Sequence, residues 1–167
     1  MIKKILFILL GSVFLMSCGS SKKVSTSNSK FNQTTESKEI TIADKIVWTA
    51  VSYRGTPYKF GGTTKKGMDC SGLIHTSFKQ REVTLPRTSK EMFTQGYKIP
   101  LKEVQRGDLL FFKTARKKGN VNHVGLVTSV KNGDIHFIHS TSSQGVIVTS
   151  LWEEYWKRSF IAAKRVL

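Results

Sequence analysis

One cysteine, Cys70, lies in a local sequence that could make its thiol reactive. The chain has two cysteines, and Cys70 falls within GMDCSGLIH, residues 67–75. A thiol becomes a strong nucleophile when it loses its proton, and histidine is the side chain that most often takes that proton. The candidate bases are the four histidines, His75, His123, His136 and His139. The residue types therefore favour a cysteine nucleophile over the alternative, a buried structural cysteine.

The residues around Cys70 predict a helix that begins at the thiol. Leu73, Ile74 and Phe78 are spaced as one apolar face of a helix. Asp69 is a good N-cap, which would place Cys70 in the first helical turn. Free N–H groups and the positive end of the helix dipole favour a thiolate there, so we expect the pKa of the thiol to lie below its ordinary value of ~8.5.

The four histidines differ in how well they could reach this helix start. His75 follows Cys70 on the same predicted helix, and its side chain would point about 140° away, so we expect it to be structural. The other three lie within residues 122–151, where apolar and polar residues alternate around Asn132 and Gly133. Such alternation around an Asn-Gly turn is typical of antiparallel strands.

The length of that turn decides whether His123 and His139 lie on the same face of the sheet. A two-residue turn, residues 132–133, would place them on opposite faces. A three-residue loop, residues 131–133, or any other odd length would place His139 opposite Gly125, with His123 as its diagonal neighbour on the same face.

From these residues we predict a Cys-His-His arrangement. Cys70 would be the nucleophile, His123 the general base and acid, and His139 the group that orients the imidazole of His123. His136 lies an odd number of positions from His139, so it would face the other side and is expected to be structural. A zinc site built from the same three residues is a chemical alternative, but the close paired spacing of most zinc sites is missing. We expect no metal and no other cofactor.

The beginning of the chain is typical of an exported protein. Lys3 and Lys4 precede an apolar run, residues 5–16, which is too short to span a bilayer and has the size of a signal-peptide core. The sequence LMSC, which ends at Cys18, resembles the lipobox of bacterial lipoproteins, in which the cysteine is lipidated after cleavage. An ordinary secretory signal with an incidental cysteine is the alternative.

These patterns divide the chain into three segments. We expect residues 1–17 to be a lipoprotein signal peptide, residues 18–39 a lipid-anchored flexible tether rich in Ser, Thr and Lys, and residues 40–167 one folded domain. Gly19, in place of Asp, favours sorting to the outer membrane. We therefore expect the domain to be held in the cell envelope, at the periplasmic face of the outer membrane.

The charge balance indicates polyanionic surroundings. The chain has 27 Lys and Arg against 11 Asp and Glu, a formal net charge of +16. An exported lipoprotein with this charge would meet anionic cell-wall and lipopolysaccharide surfaces. No basic stripe interleaved with aromatic residues is present, so we expect no nucleic-acid partner. We also expect the protein to be a monomer.

Helical patterns precede strand patterns along the domain. One face of a first helix that ends near Gly55 is marked by Ile42, Ile46, Ala50 and Tyr53. Thr88 with Glu91 forms a capping box for a short helix. Strand patterns occupy residues 107–113, 123–130, 134–140, 145–151 and 160–167. A short helical turn is expected over residues 152–157, and the aromatic residues expected in the core are Trp48, Phe78, Phe111, Phe112 and Trp156. This order predicts an α+β fold, with N-terminal helices packed on a five- to six-stranded antiparallel sheet.

Several motifs in this domain look like those of the NlpC-type cell-wall cysteine peptidases, a papain-like family. In chain order they are TPYKFGGTTKKGMDCSGLIHTSF, LPRTS, RGDLLFF, HVGLV and FIHSTSSQGVIVTSL. The resemblance runs from about Ile42 to the C-terminus and implies a papain-like fold. It carries the roles of nucleophile, base and third polar residue over to Cys70, His123 and His139. It also implies that the substrate-contacting residues are Tyr58, Asp69 and Ser71.

The reaction implied by this resemblance is hydrolysis of peptidoglycan stem peptides, between D-glutamate and the diamino acid at position three. The thiolate of Cys70 would attack the carbonyl, His123 would protonate the leaving amine, and water would release the acyl-enzyme. Two alternatives remain open. The domain could be a papain-like acyltransferase or amidase that acts on another amide, or a non-catalytic wall-binding lipoprotein, which would need none of the three residues.

Overall fold

Helices come first and most strands later in the part of the chain that this computed structural model describes, residues 39–114 and 121–167. The helices are α1 (Ile42–Val51), α2 (Cys70–Lys79), α3 (Ser89–Met92) and α4 (Glu154–Ser159), with a 3-10 turn at Leu101–Glu103. The strands are β1 (Thr63–Thr64), β2 (Gly67–Met68), β3 (Tyr97–Ile99), β4 (Leu109–Phe112), β5 (His123–Lys131), β6 (Asp134–Thr141), β7 (Gly145–Ser150) and β8 (Phe160–Arg165). None of the helices in these two ranges is long and apolar enough to cross a membrane.

Within the described ranges, β3 to β8 form one six-stranded antiparallel sheet in the order β3-β8-β4-β5-β6-β7. The short strands β1 and β2 pair separately, just before α2. The predicted α+β fold with an antiparallel sheet is therefore confirmed. The edge strand β3 was not predicted from the sequence, because a strand of three residues is too short to show a clear alternation.

One face of the sheet packs against α1 and α2. Ile46 and Ala50 of α1 are fully buried and Tyr53 is buried just after the helix, as predicted from their spacing. Ile42, the first residue of the helix, is 43% exposed, so it does not belong to the buried face. Trp48 was expected in the core, but it is 50% exposed. That expectation is wrong because Trp48 lies about 200° around the helix from both Ile46 and Ala50. The helix nevertheless begins as its sequence suggests, with Thr41 and Asp44 forming a capping box.

The opposite face of the sheet carries a second apolar cluster. Phe112, Val127 and Phe137 are fully buried there, and Trp156 of α4 covers them. The ring of Phe112 stacks on Phe137 at 5.0 Å and meets Trp156 edge-on at 5.3 Å. This cluster gives the sheet a second apolar layer, and the histidines of β5 and β6 lie beside it.

The turn between β5 and β6 has two residues. Lys131 pairs directly with Asp134. Asn132 and Gly133 between them have φ values of 51° and 80°, the left-handed pair that a tight hairpin turn requires. A regular ladder continued from this turn would place His123 and His139 on opposite faces of the sheet.

A β-bulge in β5 changes the register and reverses that outcome. Ser129 pairs with His136, but the next pair is Val127 with Phe137, so Thr128 is an extra residue in β5. Beyond the bulge the ladder places His139 opposite Gly125. The structure therefore has the two-residue turn, yet His123 and His139 share a face, which the sequence analysis expected only from an odd-length loop. The odd residue lies inside the strand.

Candidate active site

The N-terminus of α2 and the beginning of β5 meet at one cleft. Cys70 is the first residue of α2, and His123 is the first residue of β5. Both line a cleft of about 790 Å³. The backbone N–H of Val124, next to His123, is close enough to the thiol of Cys70 to act against the rise in its pKa. The fold thus brings the predicted nucleophile and the predicted base to the same place.

The second histidine lies directly behind the first. Nε2 of His123 and Nδ1 of His139 are 3.0 Å apart, a hydrogen-bond distance. Gly125 lies between them in the sheet, and a side chain at that position would collide with the ring of Phe137. Because Nε2 of His123 takes part in this bond, Nδ1 is the nitrogen that remains to accept a proton from the thiol of Cys70.

Aromatic rings enclose the histidine pair. Trp156 stacks over His123, with ring centres 5.1 Å apart, and it meets His139 edge-on, with ring centres 4.4 Å apart. Phe137 packs against His139 at 4.5 Å. Trp156 was predicted as a core residue and is buried, but it also lines the cleft. No spacing in the sequence links Trp156 to the histidines, so this contact could not be predicted.

Burial sets the protonation of the pair. It lowers the pKa of His123 to about 4 and, together with the neighbouring His123, lowers the pKa of His139 even further. Both imidazoles are therefore neutral at neutral pH. In a neutral imidazole one nitrogen donates and the other accepts, so the bond between them has a direction.

The thiol behaves differently from the sequence expectation. Burial raises the pKa of Cys70, and the carboxylate of Asp69 adds to the rise, while the nearby backbone N–H groups of Val124 and Ser71 act in the opposite direction. The expected lowering by the helix start was therefore wrong, because enclosure of the sulfur outweighs the N–H groups of the first turn. At neutral pH the cleft holds a neutral thiol beside a neutral imidazole.

A charged network fixes the side of the cleft on which Cys70, the predicted nucleophile, lies. Arg87 holds both carboxylate oxygens of Asp69, at 2.8 and 3.0 Å, and bonds the hydroxyl of Ser71 at 2.9 Å. Asp69 also accepts from the backbone N–H groups of Gly72 at 2.6 Å, as the predicted N-cap, and of Gly61 at 2.8 Å. Burial alone would raise the pKa of Asp69, but Arg87 and these N–H groups outweigh it and hold that pKa below its usual value. Arg87 lies in the LPRTS motif but was not singled out from the sequence.

A second, smaller cavity of about 360 Å³ lies on this charged side. Asp69, Ser71 and Arg87 line it, and so does Tyr58. Tyr58, Cys70 and Asn122 line both cavities. Cys70 therefore lies between two cavities, an arrangement that can accommodate an extended ligand on both sides of the thiol.

The remaining candidates lie elsewhere. Nδ1 of His75 is 2.8 Å from the carbonyl oxygen of Leu85, and the half-exposed His136 is 3.7 Å from Asp134. Neither histidine lines the cleft. Cys18 is outside the described residues. Among the His, Cys, Asp and Glu side chains of the two described ranges, no three are grouped so that they could hold a metal ion.

Comparison with known proteins gives one consistent result. The sequence model of the NlpC/P60 family matches residues 55–165. The chain is 38% identical over 116 residues to an Escherichia coli protein named probable endopeptidase NlpC, covering 69% of this chain and 72% of that relative. It is 32% identical to the E. coli murein DD-endopeptidase MepS/murein LD-carboxypeptidase, covering 78% of this chain and 66% of that relative.

A solved structure gives the same comparison in three dimensions. A NlpC/P60 family protein from Bacillus cereus superimposes with a TM-score of 0.67 and 32% identity. The match covers 77% of this chain and 41% of that protein. The chain thus spans about two thirds or more of the two curated relatives and less than half of the solved protein.

Proposed function

The chain belongs to the NlpC/P60 family of cysteine peptidases, and from that premise we propose that it hydrolyses the stem peptides of peptidoglycan. The observation that carries the proposal is that His123, which lines the same cleft as Cys70, is bonded to the buried His139 behind it. The murein substrate named for the E. coli relative supports the substrate class. The bond that we propose is cut joins D-glutamate to the diamino acid at position three.

The first half of the reaction would form an acyl-enzyme. Nδ1 of His123 takes the thiol proton while the sulfur of Cys70 bonds to the substrate carbonyl carbon. The backbone N–H of Cys70, in the first turn of α2 and without a helical acceptor, can stabilise the negative oxygen that forms. His123 then gives its proton to the amine nitrogen as the carbon–nitrogen bond breaks, and a thioester is left on Cys70.

The second half would regenerate the thiol. His123 takes a proton from water as the water oxygen bonds to the thioester carbon, and the carbon–sulfur bond breaks. The proton returns to sulfur, and the free carboxylic acid leaves. Because the resting pair is a neutral thiol and a neutral imidazole, proton transfer would accompany each attack instead of preceding it.

The two cavities suit the two sides of the peptide. We propose that the substrate passes from the smaller, charged cavity across Cys70 into the larger one. Tyr58 lines both, so it can contact the peptide on either side of the bond to be cut. Asp69 and Ser71 would contribute to substrate binding on the charged side, where Arg87 fixes them.

The test is mass spectrometry of soluble peptidoglycan fragments incubated with the full-length protein or its Cys70→Ser variant. We expect the wild type to release products that end in D-glutamate and the variant to release none. Products that carry an added amine would point to an acyltransferase. Unchanged fragments in both reactions would contradict the hydrolase proposal and leave a wall-binding role.

We also propose that the protein is a lipoprotein, anchored through Cys18 at the periplasmic face of the outer membrane. The apolar run of residues 5–16 and the LMSC sequence support this. Residues 18–39 would be the tether that lets the domain reach the wall. Metabolic labelling with a fatty-acid probe should mark the wild type and not a Cys18→Ala variant, and the label should sediment with outer membranes. Equal labelling of both proteins would refute the anchor site.

A further inference from the structure

We propose that Thr149 is a positioning residue that keeps the proton of His139 on Nε2 and thereby leaves Nδ1 of His123 free to act as the base. This inference rests on the proposed function, because it concerns the proton path of that reaction. Thr149 does not belong to the triad predicted from the sequence. Its position in β7 provides the next hydrogen-bonding group behind the two histidines.

The contacts form one line of three side chains. Nε2 of His123 is 3.0 Å from Nδ1 of His139, and Nε2 of His139 is 3.0 Å from Oγ1 of Thr149. Phe137 pairs with Thr149 across β6 and β7, so Thr149 is the diagonal neighbour of His139 on the same face. His139 is 0% exposed and Thr149 is 5% exposed. Solvent therefore does not compete for the nitrogens of His139.

Only one direction of hydrogen bonding along this line lets His123 work. If His123 donates from Nε2, then Nδ1 of His139 accepts and the proton of His139 must be on Nε2, where it is donated to Thr149. In the reverse order His139 donates from Nδ1, His123 accepts at Nε2, and the proton of His123 is then on Nδ1. That nitrogen could no longer take the thiol proton.

During the proposed reaction the same direction of hydrogen bonding is the only one possible. Once His123 has taken the thiol proton it is positively charged, and both of its nitrogens donate. His139 must then accept at Nδ1 and donate from Nε2. Its buried N–H needs an acceptor, since an unpaired buried donor destabilises the arrangement that leaves it unpaired. Oγ1 of Thr149 is that acceptor, and its own hydrogen can be donated into the cleft that Thr149 also lines.

The experiment compares Thr149→Val with Thr149→Ser in the full-length protein. Valine keeps the shape and the strand preference of threonine but removes the hydroxyl, while serine keeps the hydroxyl. We expect Thr149→Val to lower kcat roughly tenfold, in line with the loss of one buried hydrogen bond, with KM changed less than about twofold. Thr149→Ser should stay within about threefold of the wild type. Thr49→Val removes a hydroxyl that is also 5% exposed but lies in α1, and it controls for loss of any buried hydroxyl.

A spectroscopic measurement tests the same idea without substrate. Nitrogen-15 NMR of the imidazoles reports which ring nitrogen carries the proton. We expect His139 to carry it on Nε2 in the wild type and in Thr149→Ser, and on Nδ1 in Thr149→Val. Retention of the Nε2 proton in Thr149→Val, or an equal loss of kcat in the valine and serine variants, would overturn the proposal. If the wild type cuts no peptidoglycan, the proposed function fails, while the NMR result still decides the role of Thr149.

Discussion

The two halves of the candidate active site are held by opposite kinds of interaction. The half that contains Cys70, here called the nucleophile side after the proposed role of the thiol, is charged and partly open to solvent. In it Arg87 forms an ion pair with Asp69. The histidine side is neutral and buried, with His123 and His139 bonded to each other inside a layer of aromatic rings.

In the proposed reaction, this difference corresponds to what each half has to do. The nucleophile side has to hold a helix start and a loop in fixed positions, and charge-assisted bonds do so with geometric precision. The histidine side has to keep a base unprotonated at neutral pH, and burial achieves this by disfavouring the charged imidazole. The contrast leads to three predictions that follow in order of expected size.

Replacing His139, in the neutral half, should cause the largest loss of activity. We expect His139→Leu to lower kcat about 10³-fold, because His123 loses the acceptor that fixes its proton and stabilises its charged form. The free energy of unfolding should change little, since leucine fills the same apolar layer. Kinetics on a stem-peptide substrate and urea unfolding measure the two quantities. A variant with near-normal kcat would show that His123 needs no orienting partner.

Replacing Arg87 should act on the charged half by lowering the free energy of unfolding. We expect Arg87→Met to lower the free energy of unfolding by about 3 kcal/mol, because the largely buried carboxylate of Asp69 loses its counter-charge. The double variant Arg87→Met, Asp69→Asn should recover about half of this loss, since a neutral amide is less costly to bury. Urea unfolding measures both. Equal stability of the single and double variants would mean that the charge of Asp69 is not what Arg87 compensates.

The pH dependence of stability should separate the two halves. Unfolded histidine binds a proton below about pH 6.5, whereas buried His123 resists protonation down to about pH 4. The unfolded state therefore binds more protons in this window, and the free energy of unfolding should fall by at least about 2 kcal/mol from pH 6.5 to 4. The stability from the low-pKa carboxylate of Asp69 is present above about pH 4 and is lost only below it.

Urea midpoints at pH 7.0 and 4.5 test this separation. The Asp69→Asn variant should keep the full drop between these two values, because the carboxylate contributes only at lower pH. The His139→Leu variant should show a smaller drop than the wild type. An unchanged midpoint for the wild type would contradict the assignment of both buried imidazoles as neutral.

The same two halves differ in how far the sequence could predict them. The nucleophile side follows from neighbours in the chain, because Asp69 caps the helix that begins at Cys70. These local patterns span three or four residues, and the folded structure has the helix and the cap that they predict. The partner Arg87 comes from a separate loop, and its contact depends on tertiary structure.

The histidine side depends on contacts that no short pattern contains. The shared face of His123 and His139 was predicted, but from a loop length that the structure does not have. The enclosure by Trp156 requires the chain to return after β7. The raised pKa of Cys70 has the same origin, because burial of the sulfur is set by the packed domain and not by the first turn of α2.

Because of the bulge at Thr128, the alignment of His123 with His139 depends on whether the number of residues between them is odd or even. Strand side chains alternate, so the number of residues between two positions in a hairpin, odd or even, decides whether they share a face. Thr128 supplies the one residue that corrects the count, and Arg106, which also bonds Asp44 of α1, holds its carbonyl oxygen. Deleting Thr128 would turn His139 away from His123 without changing any residue of the proposed triad, whereas a two-residue insertion in the turn would preserve their alignment. In this hairpin the number of residues, and not only their types, decides whether the two histidines can form their hydrogen bond.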